Sequence, residues 1–340
     1  MAEKGSDRIL LAHGGGGILM KELIALIVRK LGGAETARGP LQDSATLSVG
    51  EGRIAFTTDS FVVSPLFFPG GDIGRLSVCG TVNDLAMSGA MPLWVSLSFI
   101  IEEGLPFETL ERILDSIATA AREAGIDIVT GDTKVVERGK ADGLFITTSG
   151  IGVVPRGIEV SSALARPGDI VLINGGIGEH GLAILSRREG IDFGSDLQSD
   201  TAPLSNLTVP LLSQVKAVRA MRDATRGGLA AILNEIAVDS KVCIRLEEEA
   251  IPVSERVKRA CELMGYDPLH IANEGKFVAV VGSEEAEKAL AIMRAHPLGA
   301  GAARIGEIVP SPAGCVILKT VFGGERVVDI PYGDLLPRIC

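Results

Sequence analysis

Five aspartates stand where a strand or helix pattern breaks or where a charge is costly. Asp43 precedes a strand-like stretch (L-Q-D-S-A-T-L), Asp59 closes one (T-T-D-S-F-V-V) and Asp132 closes another (T-G-D-T-K). Asp223 lies in R-D-A-T-R-G-G-L, just ahead of a helical pattern, and Asp84 sits inside a helical one, T-V-N-D-L-A-M-S-G-A. A strand-end acid is often only solvated or capping. Asp84 is different, because a carboxylate among Val82, Leu85 and Met87 is costly unless it is paired or holds a cation. Carboxylate oxygens that converge suit Mg²⁺, which also takes water and phosphate oxygens. The histidines His180, His270 and His296 show no metal-ligand spacing.

Two glycine loops can turn backbone N–H groups toward phosphate. His13-Gly14-Gly15-Gly16-Gly17 precedes a helical pattern, and Gly175-Gly176-Ile177-Gly178 follows a strand that ends at Asn174. Neither has the spacing of the P-loop or of the dinucleotide-binding turn, and a purely structural turn is the alternative for both. Lys134, two residues after Asp132, is a cation for a terminal phosphate or a surface lysine. Glu274, in N-E-G-K, is a general base or a loop acid. The chain ends in P-R-I-C, so Cys340 is its last residue. It is no prenylation box, which requires three residues after the cysteine. The stretch from Pro331 has two prolines and no periodicity, which predicts a mobile arm. At ~3.3 Å per extended residue such an arm sweeps roughly 30 Å, a reach that suits a thiol loaded at one place and used at another; a chance terminus is the alternative.

The elements that must position these residues alternate between strand and helix. Helical spacing covers Ile18 to Leu31, Asp72 to Gly89 with Asp72 as N-cap, and Pro106 to Ala124 with Gly125 as stop. Strands are expected at 45–49, 53–58, 93–101, 127–130 and 144–154. Residues 155–168 read as a junction. Beyond it come a strand at 169–174, a long polar loop at 192–206, helices near 226–238, 254–264 and 284–295, and strands near 242–246, 276–281, 303–309 and 315–320. No repeat of solenoid period is present.

Composition excludes several classes. The 340 residues carry a net charge of -10, which argues against nucleic acid or an anionic membrane as partner. Five cysteines, an odd number with no C-x-x-C, predict neither a disulfide framework nor a zinc site, and so a reducing cytoplasm. The apolar run before the first glycines spans only Ile9 to Ala12, so no secretory leader or membrane span is expected.

Taken in order, L-Q-D-S-A-T-L, T-T-D-S-F-V-V, V-N-D-L-A-M-S-G-A, G-D-T-K-V-V, D-A-T-R-G-G-L and N-E-G-K-F resemble the PurM-type ATP-binding superfamily, the AIR synthase-like proteins. That superfamily includes aminoimidazole ribonucleotide synthetase, selenophosphate synthetase and thiamine-monophosphate kinase. The early A-H-G-G-G-G and the terminal P-R-I-C are similar to its [NiFe]-hydrogenase maturation branch. The resemblance implies an α/β plus α+β, PurM-like two-domain fold: an N-terminal domain over 1–157 that dimerises through its sheet, a C-terminal domain over 158–332, and a tail over 333–340 carrying Cys340. It implies that a carbamoyltransferase, HypF, loads Cys340, that ATP then drives dehydration of the thiocarboxamide to a thiocyanate, and that the cyanide passes to iron on a HypC–HypD complex.

By the same resemblance ATP lies against His13, Gly14 and Gly15, against Asn174 and Gly175, and against Asp43, Asp59, Asp84 and Asp132. Mg²⁺ falls to Asp43, Asp59, Asp84 and Asp223. Cys340 carries the reacting group, Lys134 steadies the γ-phosphate, Glu274 is the base and Arg156 holds the phosphorylated oxygen. The alternatives are a kinase or synthetase of a free small molecule and a non-catalytic ATP-binding scaffold. A selenophosphate synthetase would need a cysteine or selenocysteine near the first glycines, and no cysteine precedes Cys79. A thiamine-monophosphate kinase would leave Cys340 without a role.

Overall fold

The computed structural model describes residues 44–50, 52–191, 193, 197–330 and 338–340, with six further positions between 17 and 25. Positions 18, 19, 21, 22 and 25 are helical. His13, Gly14, Gly15 and Asp43 lie outside the described residues, as does the expected helix beyond residue 25.

The first half runs β1 (Ala45–Val49), β2 (Gly52–Phe61), the short pair β3 (Phe67–Phe68) and β4 (Gly71–Asp72), α1 (Ile73–Met87), β5 (Met91–Glu102), α2 (Phe107–Ala124), β6 (Asp127–Val136) and β7 (Leu144–Val154). Five strands form one sheet in the order β1-β2-β7-β5-β6, antiparallel except for the parallel pair β5 and β6. The Asp72 carboxylate opens α1 by accepting the N–H groups of Gly74 and Arg75. Nearly every residue of α1 is buried, so this helix is central rather than amphipathic. In contrast, α2 buries a single stripe, Ile113, Ile117, Ala120, Ala121 and Ala124, and ends on left-handed Gly125. Both helices cover one face of the sheet. The other face lies open: Phe56, Trp94 and Ile100 are 41%, 46% and 41% exposed, and all but the last residue of β6 are exposed.

No helix or strand occurs between Val154 and Ile170. The second half then runs β8 (Ile170–Ile173), α3 (Glu179–Glu189), α4 (Ser205–Gln214), β9 (Val218–Asp223), α5 (Gly228–Ser240), β10 (Cys243–Glu247), α6 (Glu255–Met264), β11 (Phe277–Val281), α7 (Ala286–Arg294), β12 (Ala303–Val309), β13 (Cys315–Lys319) and β14 (Glu325–Val327). Seven strands form its sheet in the order β14-β13-β10-β12-β8-β11-β9. β11, Phe-Val-Ala-Val-Val, lies between β8 and the edge strand β9 and is buried at every position. Val278 and Val280 pack with Leu229, Leu233 and Ile236 of α5, while Phe277, Ala279 and Val281 pack with α4 and α7. Leu85, Ala86 and Met87 of α1 share that second core with Leu204 and Leu207, so the two halves meet across apolar contact.

Several expectations need correction. Asp59 does not end a strand, because β2 continues to Phe61. Asp132 is likewise interior to β6, which runs on to Val136 through hydrogen bonding with β5 that its glycine and polar residues did not signal. The polar loop stops at Leu204, and α4 follows with Pro210 inside it; proline normally ends a helix, which hid this one. β9 and β14 were not expected; both are short, and β14 is an exposed edge strand. No described helix is long and apolar enough to cross a membrane.

Candidate active site

The C-terminal cysteine lies against the end of β2. The Val62 N–H donates to the Cys340 carbonyl (3.1 Å) and the Ser64 N–H to the Arg338 carbonyl (3.3 Å). Arg338 Nε donates to the Val62 carbonyl (3.0 Å), and its guanidinium pairs with Asp142 (2.7 Å). Ile339 is buried in the first core. Of the stretch expected as a mobile arm, residues 338–340 are described and lie against the end of β2, with Cys340 half-buried.

Four carboxyl groups and one guanidinium surround that position. Glu274 follows Asn273 in the turn before β11 and is buried, with Oε1 lacking a hydrogen-bond partner. Its backbone is held on both sides: its N–H donates to Asp200 Oδ1 (2.9 Å) and its carbonyl accepts from Asn83 Nδ2 (3.0 Å). Gly275 follows because a Cβ there would stand 1.9 Å from the Asp200 carbonyl oxygen. Burial, then the negative charges of Asp223, Asp59 and Asp200, pushes the Glu274 carboxyl well above its ordinary range, with Arg226 pulling it back. Asp223 is buried at the end of β9, directly opposite Phe277 of β11, which brings it to the same turn. Burial also raises the Asp59 carboxyl, opposed by Arg226 and by the Ser60 N–H. Asp84, reached from α1, accepts from Thr57 Oγ1 (2.8 Å).

Arg226 is the cation among these acids. Negative charge at Cys340 acts on it most strongly, followed by Asp59, Glu274 and Asp84, and together they hold its guanidinium firmly charged. In the sequence Arg226 stands three residues after Asp223 in D-A-T-R-G-G-L, and nothing in that spacing marks it as a site residue.

Other expected site residues lie elsewhere. Lys134 and Asp132 pair with each other on exposed β6 (2.6 Å), and that pairing lowers the Asp132 carboxyl. In register, Asp59 faces Thr148, then Leu97, then Gly131. Three strand spacings, ~14 Å, thus separate β2 from β6, so the chain alone does not bring Lys134 to Glu274. Arg156 is exposed in the turn after β7. Asn174 spends its amide inside the protein, donating to the Gly275 and Leu298 carbonyls and accepting the Phe277 N–H. Gly175 packs against the Lys276 stem, where a Cβ would stand 3.3 Å from Cε.

Among the described residues no three His, Cys, Asp or Glu side chains stand close enough to hold a metal ion by themselves. The aspartates do supply the right donor type. Asp59, Asp84 and Asp223 offer only oxygen; Asp59 and Asp84 act on the Arg226 guanidinium, Asp223 acts on Glu274, and Glu274 Oε1 lacks a hydrogen-bond partner. That set fits Mg²⁺, which binds one or two carboxylates and completes its shell with substrate phosphates and water.

With this geometry in hand, comparison with known proteins assigns the family. Residues 41–154 match the AIR synthase related protein N-terminal domain, and residues 166–319 the C-terminal domain of the same family. The chain is 54% identical over 336 residues to the carbamoyl dehydratase HypE of Rhizobium leguminosarum bv. viciae, covering 98% of this chain and 96% of that one. It belongs to the HypE family. Among solved structures, it is similar to a HypE–HypF complex, with a TM-score of 0.86 and 51% identity over 93% of this chain and 100% of that one. It is similar also to a HypE in complex with ATP, with a TM-score of 0.83 and 46% identity over 98% of this chain and 100% of that one. The two-domain PurM-like architecture is thus that of the HypE family, whose curated members are named as carbamoyl dehydratases.

Proposed function

We propose that this chain is an ATP-dependent carbamoyl dehydratase that turns a thiocarboxamide on its own Cys340 into a thiocyanate for hydrogenase maturation. One observation carries the reading: a C-terminal cysteine docked beside a half-buried guanidinium and a buried, proton-avid carboxyl. Family membership and the ATP complex of a relative support it.

An amide oxygen is a poor leaving group, so it must first be phosphorylated. It attacks the γ-phosphorus of ATP and releases ADP; loss of the two N–H protons and of inorganic phosphate then leaves the C≡N triple bond. Arg226 stabilises negative charge on the oxygen being transferred. Glu274 takes a proton from nitrogen, its proton affinity raised by burial and by the neighbouring carboxylates. Asp59, Asp84 and Asp223, with Asp43, would hold Mg²⁺, which supplies charge neutralisation at the phosphates when bound. Arg156 remains a candidate for holding the phosphorylated oxygen.

The open sheet face, with Phe56, Trp94 and Ile100 exposed, is where a second copy would pack. Lys134, on the rim strand, would then lie at the seam between copies, where it could reach a phosphate. A HypF-type carbamoyltransferase would load Cys340, as the complex of a relative suggests, and a HypC–HypD complex would accept the cyanide. Protein with ATP, Mg²⁺, carbamoyl phosphate and HypF is followed by intact mass and peptide mapping. The reading expects a carbamoyl adduct on Cys340 that loses one water only with hydrolysable ATP. An unmodified Cys340 with ATP consumed on a free metabolite would place the chain with the small-molecule kinases instead.

A further inference from the structure

The last three residues are held by main-chain bonds as well as by the side chains of Arg338 and Ile339. Besides the bonds from the Val62 and Ser64 N–H groups, Arg188 Nη2 donates to the Arg338 carbonyl (2.6 Å), and Arg188 Nε to the Ser64 carbonyl (2.9 Å). The intervening carbonyl, that of Ile339, is taken by His180 Nε2 at 2.8 Å. The Arg338 and Ile339 carbonyls and one oxygen of the Cys340 carboxylate therefore each have a donor. Arg338 sits at φ 54, a left-handed conformation that a non-glycine residue adopts only at a cost, so the docked shape is imposed by its partners. Ile339 is sunk into the core, and Cys340 packs against it.

The tautomer of His180 follows from its neighbours. A carbonyl can only accept, so Nε2 carries the proton. Burial keeps the ring neutral, which leaves the Nδ1 lone pair for the Ser199 hydroxyl at 2.8 Å. Ser199 Oγ in turn accepts the Thr201 N–H (3.2 Å), and Phe68 packs edge-on against the imidazole. A relay from Thr201 through Ser199 thus points one N–H at the peptide just before Cys340.

We propose that His180, oriented by Ser199 and aided by Arg188, is a main-chain clamp that sets the register of the docked tail and so positions Cys340 against Arg226 and Glu274. His180 is a positioning residue and takes no part in the chemistry. The mode is strand addition, in which backbone bonds give affinity and one pocket, here for Ile339, gives specificity. These contacts avoid the sulfur, so the clamp accepts the empty and the loaded tail alike. Its consequence for catalysis rests on the dehydratase reading; its geometry does not.

The test uses the full chain with His180→Asn and His180→Gln. An Asn amide reaches only where Nδ1 stands and a Gln amide where Nε2 stands, so only Gln keeps a donor for the Ile339 carbonyl. Carboxypeptidase removal of Cys340, read by intact mass, reports the undocked fraction without any chemistry at sulfur. Removal is expected to be about five- to tenfold faster in His180→Asn, the size of one lost hydrogen bond, and within about twofold of the parent in His180→Gln. Water loss from a pre-carbamoylated Cys340 slows in His180→Asn, because the tail that does dock is no longer fixed in register, while loading by HypF does not slow. Equal removal rates in all three proteins, or equal damage in both variants, overturn the clamp. Should His180→Asn fail to fold by circular dichroism, Arg188→Ala is digested instead; a parent-like rate overturns the proposal and a faster one supports it. A parent that never loses water sinks the dehydratase reading alone, and the digestion still decides the clamp.

Discussion

Asn83 donates its side-chain amide to the main-chain carbonyl of Glu274 at 3.0 Å, tying the central helix of the N-terminal half to the base candidate in the C-terminal half. The same amide donates to the Ala202 carbonyl (3.1 Å), and its oxygen accepts the Leu204 N–H (2.7 Å). Asn83→Ala leaves these buried groups unsatisfied, which costs ~1–3 kcal/mol per group left without a partner. Denaturant unfolding should show a lower midpoint, and dehydration should slow more than ATP affinity falls. An unchanged midpoint would mean the seam is held elsewhere.

Glu274→Gln should stop water loss from loaded Cys340 while ATP still binds. It should also change stability with pH. The native Glu274 keeps its proton above the ordinary value of 4.5, where the unfolded chain has released it. The native state then holds the extra proton, so this group's contribution is fully present below 4.5 and is lost as pH rises toward the raised native value. Removing the carboxyl removes that loss. Melting temperatures of parent and variant should diverge in the variant's favour as pH climbs from 4.5, with a slope of the same sign remaining from Asp59. Parallel curves would contradict a raised Glu274.

Cys340→Ala should abolish the mass change at the terminus and leave ATP binding intact. Arg226→Gln is expected to lower the dehydration rate by about a hundredfold or more, the usual loss when one donor to a developing charge is removed. Single-turnover mass spectrometry on pre-carbamoylated protein reads both. A fully active Arg226→Gln would return the guanidinium role to Arg156.

Chelation of divalent cations should stop ATP turnover, and added Mg²⁺ should restore it. Asp84→Asn should raise the Mg²⁺ concentration needed for half-maximal rate by roughly tenfold, because Asp84 is one of few carboxylates available to a cation that otherwise leans on phosphate oxygens. Full turnover in EDTA would remove the aspartates from any metal role.

Trp94→Glu places a charge on the open sheet face, where Trp94 is 46% exposed. Light scattering should report a dimer for the parent and a monomer for the variant, with the fold kept by circular dichroism. A monomeric parent would leave Lys134 and Asp132 outside any shared site.

Much was legible in advance. Helix α1 with its Asp72 cap, the amphipathic stripe of α2 and its Gly125 stop, and β7 and β11 all followed from local chemistry, because caps, turns and apolar periodicity act over a few residues. Asp84 stood out for the same reason. Arg226 and His180 did not. Nothing within a few residues of Arg226 says that β9 and β11 will bring Asp223 and Glu274 beside it, and His180 reads as one polar residue on an ordinary helix. The hydrogen bonds of Asn174, which the resemblance placed against ATP, were likewise not legible: its side-chain amide bonds to Gly275, Leu298 and Phe277, far from it in sequence.

The sequence by itself determined the inventory: carboxylates at element ends, a thiol as the last residue, and the order of motifs that marks the superfamily. Those are properties of residue type and spacing. Only the tertiary structure decided which groups meet. Asp59 and Cys340 lie 281 positions apart in the sequence and come together because residues 338–340 add to the end of β2. Asp132 and Lys134, which the sequence placed beside the acids, remain three strands away because register across a sheet is set by long-range pairing rather than by the residues themselves.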